Sequence, residues 1–161
     1  LDEWEVACRA GTNVGPYFWG ADSSKISEYA NIWLGKDHLV AQDGDPWMTT
    51  SPVGSLEANA FGLYDVFGNV FEFCADRPDR LKDQDDVASA RGGSWWCSEN
   101  ACSFFNANDI GRVKKQASFS NQGFRVVKLE WVRCDPPAKA SGYSIPKNCK
   151  NKQNPEIYLS R

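Results

Sequence analysis

The sequence predicts a mixed α/β domain of irregular build, in which short twisted strands are held between long loops. Three observations lead there. Residues 2–9 have the apolar spacing of an amphipathic helix, whereas Val70–Cys74, Arg91–Trp96 and Phe124–Leu129 read as strands. The rest is dense in turn formers and rings, with 13 glycines, 7 tryptophans and 13% aromatic residues among 161. Glycine opens conformations that other residues avoid, so this many favours loops over long regular elements.

In the first helix Trp4, Val6 and Ala7 are expected on the buried face, with Glu3, Glu5 and Arg9 outside. Gly11 ends that helix and Gly15-Pro16 marks a turn. Tyr17-Phe-Trp-Gly20 is expected to form a short aromatic anchor, and 21–50, with Asp, Gly and Pro throughout, to be loop. Ser51–Ser55 is a short extended piece, and 76–89 a polar, charged surface loop. A helix cut through its middle is an unusual start for a domain, so an N-terminal portion is expected before residue 1. Beyond Glu130 the composition turns to Pro, Lys, Asn and Ser, as in a tail lying over a domain surface. The organisation expected is one domain over 1–128 and a tail over 129–161. A disulfide between Cys134 and Cys149 would close that tail and stabilise it by ~3 kcal/mol.

The charge balance, 18 basic against 21 acidic residues, leaves no electrostatic footprint for nucleic acid or an anionic membrane. No apolar run is long enough to span a bilayer. Six cysteines in such a chain favour an oxidising, extracytoplasmic or secreted setting, although Cys8 and Cys74 have no evident partner along the sequence. His38, the single histidine, sits in a polar loop far from every candidate nucleophile, so a Ser/His or Cys/His centre has no support.

Two segments carry the chemistry. One is Arg91-Gly-Gly-Ser-Trp-Trp-Cys97-Ser-Glu-Asn-Ala-Cys102, closed further on by Gly123-Phe-Arg125; the other is Asn59-Ala-Phe-Gly-Leu-Tyr-Asp-Val-Phe-Gly-Asn-Val-Phe-Glu-Phe-Cys74. Together, over about residues 2–128, they resemble the formylglycine-generating enzyme (sulfatase-modifying factor) family. That resemblance implies a C-type-lectin-like fold, in which irregular loops are commonly pinned by calcium.

It implies two calcium sets. The first takes side-chain oxygens from Asn31 and Asp45 and carbonyls from Ile32 and Trp47, with Asp43 competing with Asp45. The second takes carboxylates from Asp65 and Glu72 and carbonyls from Gly68 and Val70. Calcium accepts such all-oxygen sets on curved loops; Asp, Asn and Gly also cluster in turns for conformational reasons alone. Both ions would be structural.

In the family's copper oxidases, positions matching Cys97 and Cys102 bind copper and activate oxygen toward a substrate cysteine, with a serine at the position of Ser94. Two thiols at this spacing could hold a soft ion such as Cu(I) or close a disulfide. The departures are marked. The oxidases follow the second cysteine with alternating Arg and Tyr that hold the substrate peptide; here the stretch is Ser103-Phe-Phe-Asn-Ala-Asn-Asp-Ile110, with no arginine before Arg112, and Phe71 stands where a tryptophan is usual. Each lost charge-assisted contact costs a peptide ~1.5–3 kcal/mol.

Trp95, Trp96, Ser98, Asn100, Phe104, Phe105, Asn106, Asn108 and Asp109 instead have the aromatic and small-polar composition of adaptable recognition surfaces. One branch of the family, the variable proteins of diversity-generating retroelements, rewrites this region within a kept frame. The function expected is a calcium-stabilised module binding a protein, peptide or glycan. The alternatives are a copper-dependent oxidase converting a peptidyl cysteine to formylglycine, and a structural subunit of a larger assembly.

Overall fold

The structure, a computed structural model, describes residues 1–35, 45–98, 102, 105–128 and 156–159. The expectations placed on His38, Asp43, Asn100, Phe104, Cys134 and Cys149 lie outside the described residues. Two compact units are present, Leu1–Phe124 and Arg125–Ser160.

In the first unit, helix α1 spans Asp2–Arg9, with Asp2, Glu3 and Glu5 in its first turn and Arg9 in its last, the arrangement its dipole favours. Ala10 at φ 48° and Gly11 at φ 80° enter the left-handed region and stop it. Trp4, Ala7 and Cys8 face the core, but Val6, expected inside, is 65% exposed. At about 100° per residue, Val6 lies some 200° round the helix from Trp4, on the solvent side.

Tyr17 and Gly20 pair across a tight turn, and its rings build the core. Phe67, fully buried, makes T-shaped contacts with Trp4, Tyr17 and Trp19 at 6.1, 5.7 and 5.5 Å between centroids. Trp19 is sandwiched between Tyr17 at 4.5 Å and Tyr29 at 4.7 Å. Tyr29 comes from a segment expected as loop: a 3-10 turn at Ser23–Lys25 runs into α2, Ile26–Tyr29. The Asp22 carboxylate caps this turn by accepting from the Ser24 N–H at 3.0 Å, and buried Ile26 anchors it.

The sheet comprises β1 (Phe71–Cys74), β2 (Val87–Arg91), β3 (Gly111–Lys114) and β4 (Gln122–Gly123), in the order β3-β2-β1-β4. The first two junctions are antiparallel; β1–β4 is parallel, pairing Phe71 with Gln122. The strand expected over Arg91–Trp96 instead ends at Arg91. Gly92 and Gly93 follow at φ 85° and 74°, a pair of left-handed residues that breaks extension. The 76–89 segment is more than surface, since it contains a 3-10 turn at Asp79–Leu81 that buries Leu81 and supplies the start of β2.

In the second unit β5 (Arg125–Lys128) pairs antiparallel with β6 (Glu156–Leu159). Among the described residues, no helix is long and apolar enough to cross a membrane.

Candidate functional site

The residues of the first set line one cavity. After α2 the chain becomes extended at Ala30, and Asn31 forms a parallel bridge with Gly68. Contact there is so close that a Cβ on Gly68 would stand 2.3 Å from the Asn31 carbonyl oxygen. Asn31 spends its amide hydrogens on Thr49 O at 2.9 Å and Asn69 Oδ1 at 3.4 Å, so what it can offer a guest is Oδ1. Asp45 is oriented by two main-chain donors, Trp47 N–H at 3.1 Å and Leu34 N–H at 3.4 Å. Asn31, Ile32, Asp45 and Trp47 all line one cavity of about 30 Å³, completed by Ser27, Ala30, Leu34 and Pro46. That volume exceeds the ~10–15 Å³ needed for one water-sized guest. A single carboxylate beside amide and carbonyl oxygens is a donor set that suits a hard cation.

The second set lies on the turn entering β1. Asp65, Gly68 and Asn69 take φ of 55°, 71° and 58°, which curls the chain tightly. Asp65 Oδ2 accepts from the Gly54 N–H at 2.9 Å. Glu72 is only 3% exposed, and its Oε2 accepts from the Trp4 indole N–H at 2.6 Å. Gly68 lies against Asn31, and Val70 sits just before β1. An ion placed here would have to share Glu72 with the indole.

Cys97 and Cys102 are joined as a disulfide, their Cα atoms 4.9 Å apart. The glycine turn after β2 delivers Ser94 and Cys97 to the same interior spot, with Cys97 2% exposed and Ser94 Oγ 3.9 Å from its sulfur. Ser94 Oγ also accepts from Asn121 Nδ2 at 3.1 Å and from the Trp96 N–H at 3.3 Å. The Cys97 carbonyl takes the Trp33 N–H at 2.8 Å, and the Trp33 ring meets Trp96 at 5.6 Å. Trp33 lies more than sixty residues from Trp96, and no pattern in the sequence links them.

Of the recognition residues, Trp96 is 45% exposed and packs on the half-buried Trp95 at 5.2 Å, while Ser98 and Phe105 are buried. Asn106, Asn108 and Asp109 form a self-bonded turn: Asn106 Oδ1 accepts from the N–H groups of Asn108 at 2.8 Å and Asp109 at 3.1 Å. Arg9 reaches from α1 to Asn108 Oδ1, and Arg91 donates to the Ala107 carbonyl at 2.9 Å. The thiols of Cys8 and Cys74 are unpaired. Burial pushes Cys8 up to about 12 and also raises Cys74, so both remain protonated, poor nucleophiles at neutral pH.

The chain is similar to known proteins. Over 139 residues the chain is 31% identical to the formylglycine-generating enzyme of Mus musculus, covering 76% of this chain and 36% of the mouse protein. It is 33% identical over 128 residues to the inactive C-alpha-formylglycine-generating enzyme 2 of Bos taurus, covering 77% and 41%. Among solved structures, PvdO from Pseudomonas aeruginosa superposes with a TM-score of 0.60 at 28% identity, over 76% of this chain and 48% of that one. The Treponema denticola variable protein 1 shares the fold, with a TM-score of 0.59 at 24% identity over 76% and 43%. The chain thus spans less than half the length of each. The sulfatase-modifying factor enzyme 1-like domain family matches residues 1–129, and the chain belongs to that family.

Proposed function

We propose that the domain is a calcium-stabilised recognition module of this family, built on a C-type-lectin-like frame over 1–128 with 129–161 as an appended tail, and that it performs no oxidation of its own. The observation that carries this reading is the stretch behind the cysteine pair. Where the oxidases that it resembles hold their peptide with arginines, the side chains of Asn106, Asn108 and Asp109 are bonded to their own turn and to Arg9. Trp96 is left as the exposed aromatic element beside it, an anchor suited to a protein, peptide or glycan ligand. Similarity to an inactive C-alpha-formylglycine-generating enzyme 2 supports the same direction. The Cys97–Cys102 bridge and the cysteine content fit an extracytoplasmic setting.

Asn31, Ile32, Asp45 and Trp47 would hold the better-formed calcium site, and Asp65, Gly68, Val70 and Glu72 a second. Calcium, when bound, supplies a crosslink between segments that have little regular structure of their own. The chain's residues prepare the first site: Trp47 and Leu34 N–H groups orient Asp45, and Thr49 orients Asn31. The test is thermal unfolding with calcium and with chelator. Chelation should lower the melting temperature of wild type and leave Asp45→Asn unchanged; identical melting of wild type under both conditions would remove calcium from the account.

A second reading, the copper oxidase, is favoured by one arrangement: Ser94 Oγ beside the Cys97 sulfur with Cys102 bonded to it. Reduced, the two sulfurs make a soft donor pair able to hold copper, which would supply oxygen activation. In that reading Ser94, held by Asn121, positions the Cys97 sulfur.

A further inference from the structure

We propose that Ser27 is an additional oxygen donor to the cation held between Asn31 and Asp45, an inference that rests on the calcium reading above. Calcium takes roughly six to eight oxygens, and one carboxylate, one amide oxygen and two carbonyls leave that shell incomplete. Of the described residues lining the cavity, Ser27, Asn31 and Asp45 bring a side-chain oxygen; Ile32, Leu34 and Pro46 bring apolar surface. Asn31 and Asp45 are already assigned, so among the described lining residues the Ser27 hydroxyl is the remaining side-chain donor.

The local fold explains why Ser27 is there. Asp22 caps the preceding turn through Ser24, which fixes the start of α2. The Ala30 N–H bonds back to Ile26 O at 2.8 Å, and Ala30 then becomes extended at φ −140°, ψ 131°. That one-turn helix and abrupt exit place Ser27 and Asn31 on the wall of the same cavity. Ser27 is exposed and lines the cavity, so it stands at the rim. With one carboxylate and no basic residue among the lining groups, the cavity carries net negative charge toward a cation. A rim hydroxyl would replace one water of the ion's shell without adding charge, tuning affinity rather than creating the site.

The experiment is terbium luminescence on the full chain, with calcium as competitor. Trp47 lines the cavity, and its indole serves as the sensitiser of a lanthanide bound there. Ser27→Ala should weaken terbium and calcium binding by about 3- to 10-fold, the loss of one good oxygen contact. Ser27→Thr, which keeps the hydroxyl, should bind like wild type, and Ser27→Asp more tightly. In chelator the Ser27→Ala protein should melt with wild type, since the side chain is exposed. If Asp45→Asn abolishes the signal while Ser27→Ala matches wild type, Ser27 is no ligand and the site stands without it. If wild type and Asp45→Asn give the same signal, the cation site itself is wrong and the Ser27 assignment falls with it.

Discussion

Asn59 is the side chain on which the account of α1 stands most heavily, and replacing it by alanine is a sharp test. It is buried, and each of its polar positions is used. Nδ2 donates to the carbonyls of Ala7 at 2.8 Å and Cys8 at 3.1 Å. Oδ1 accepts from the N–H groups of Phe61 at 3.0 Å and Leu63 at 3.1 Å. One amide therefore satisfies carbonyls at the end of the helix, which have no intrahelical partners, and clamps the helix to the turn leading into Asp65. Buried hydrogen bonds contribute about 1 kcal/mol each, and groups left unsatisfied cost about 1–3 kcal/mol. Water entering the vacated space recovers part of this, so Asn59→Ala should cost about 3–5 kcal/mol. For a unit of this size that lowers the melting temperature by roughly 10–20 °C. Asn59→Asp is the discriminating partner: it turns both donors into acceptors facing two carbonyls. Its carboxyl should titrate above the ordinary carboxylate range, and the variant should regain stability as pH falls through that raised value. Urea denaturation followed by tryptophan fluorescence reads both. A cost below about 1 kcal/mol for Asn59→Ala, with unchanged m-value, would refute the clamp.

Three further outcomes follow from the same geometry. Gly68→Ala should cost at least about 3 kcal/mol or prevent folding, because the new Cβ would meet the Asn31 carbonyl at 2.3 Å and φ is 71°; chemical denaturation or yield of soluble protein measures it. Cys8 should resist iodoacetamide in the folded protein at pH 8 and react on unfolding, which mass spectrometry after quenching reports. Since burial raises Cys8 from 9.0 to about 12, its folded thiol stays protonated where the unfolded one ionises; that contribution is intact below pH 9 and lost between about 9 and 12. The loss is on the order of 4 kcal/mol, and Cys8→Ala should lack this step in alkaline denaturation. Asp22→Ala should lower thermal stability and calcium affinity together. Its carboxylate is held below the ordinary range first by the Ser24 hydroxyl, so the capping contribution is present above about pH 4 and lost as pH falls through the lowered value.

What could be read in the sequence follows the physics of each element. Helix α1 and strand β1 carry strong local patterns, and both appear within a residue of their expected bounds. Val6 is expected inside because it is apolar, although its angular position on the helix argues otherwise. Helix α2 escaped notice because one turn leaves no periodicity; its signals were the Asp22 cap and Ile26. The two-residue β4 is defined by parallel pairing to β1, a contact between segments about fifty residues apart that leaves no local mark. The strand expected over Arg91–Trp96 instead precedes the Gly-Gly turn, because the charged residues of 76–89 mask the start of β2 at Val87. At the candidate site, Asn31, Ile32, Asp45 and Trp47 could be named from the resemblance, and they share one cavity. Ser27 could not be named, since nothing in a short polar turn marks which residue lines that cavity.

The measurement that bears most directly on the central claim is turnover. The chain would be reduced, supplied with copper and oxygen, and incubated with a cysteine-containing sulfatase peptide, with an active formylglycine-generating enzyme run alongside. Hydrazide capture would reveal any aldehyde. The account predicts none above the peptide-only background, with calcium still raising the melting temperature of the same preparation. Aldehyde formed by wild type and lost in Cys102→Ser would contradict it and make this domain an oxidase.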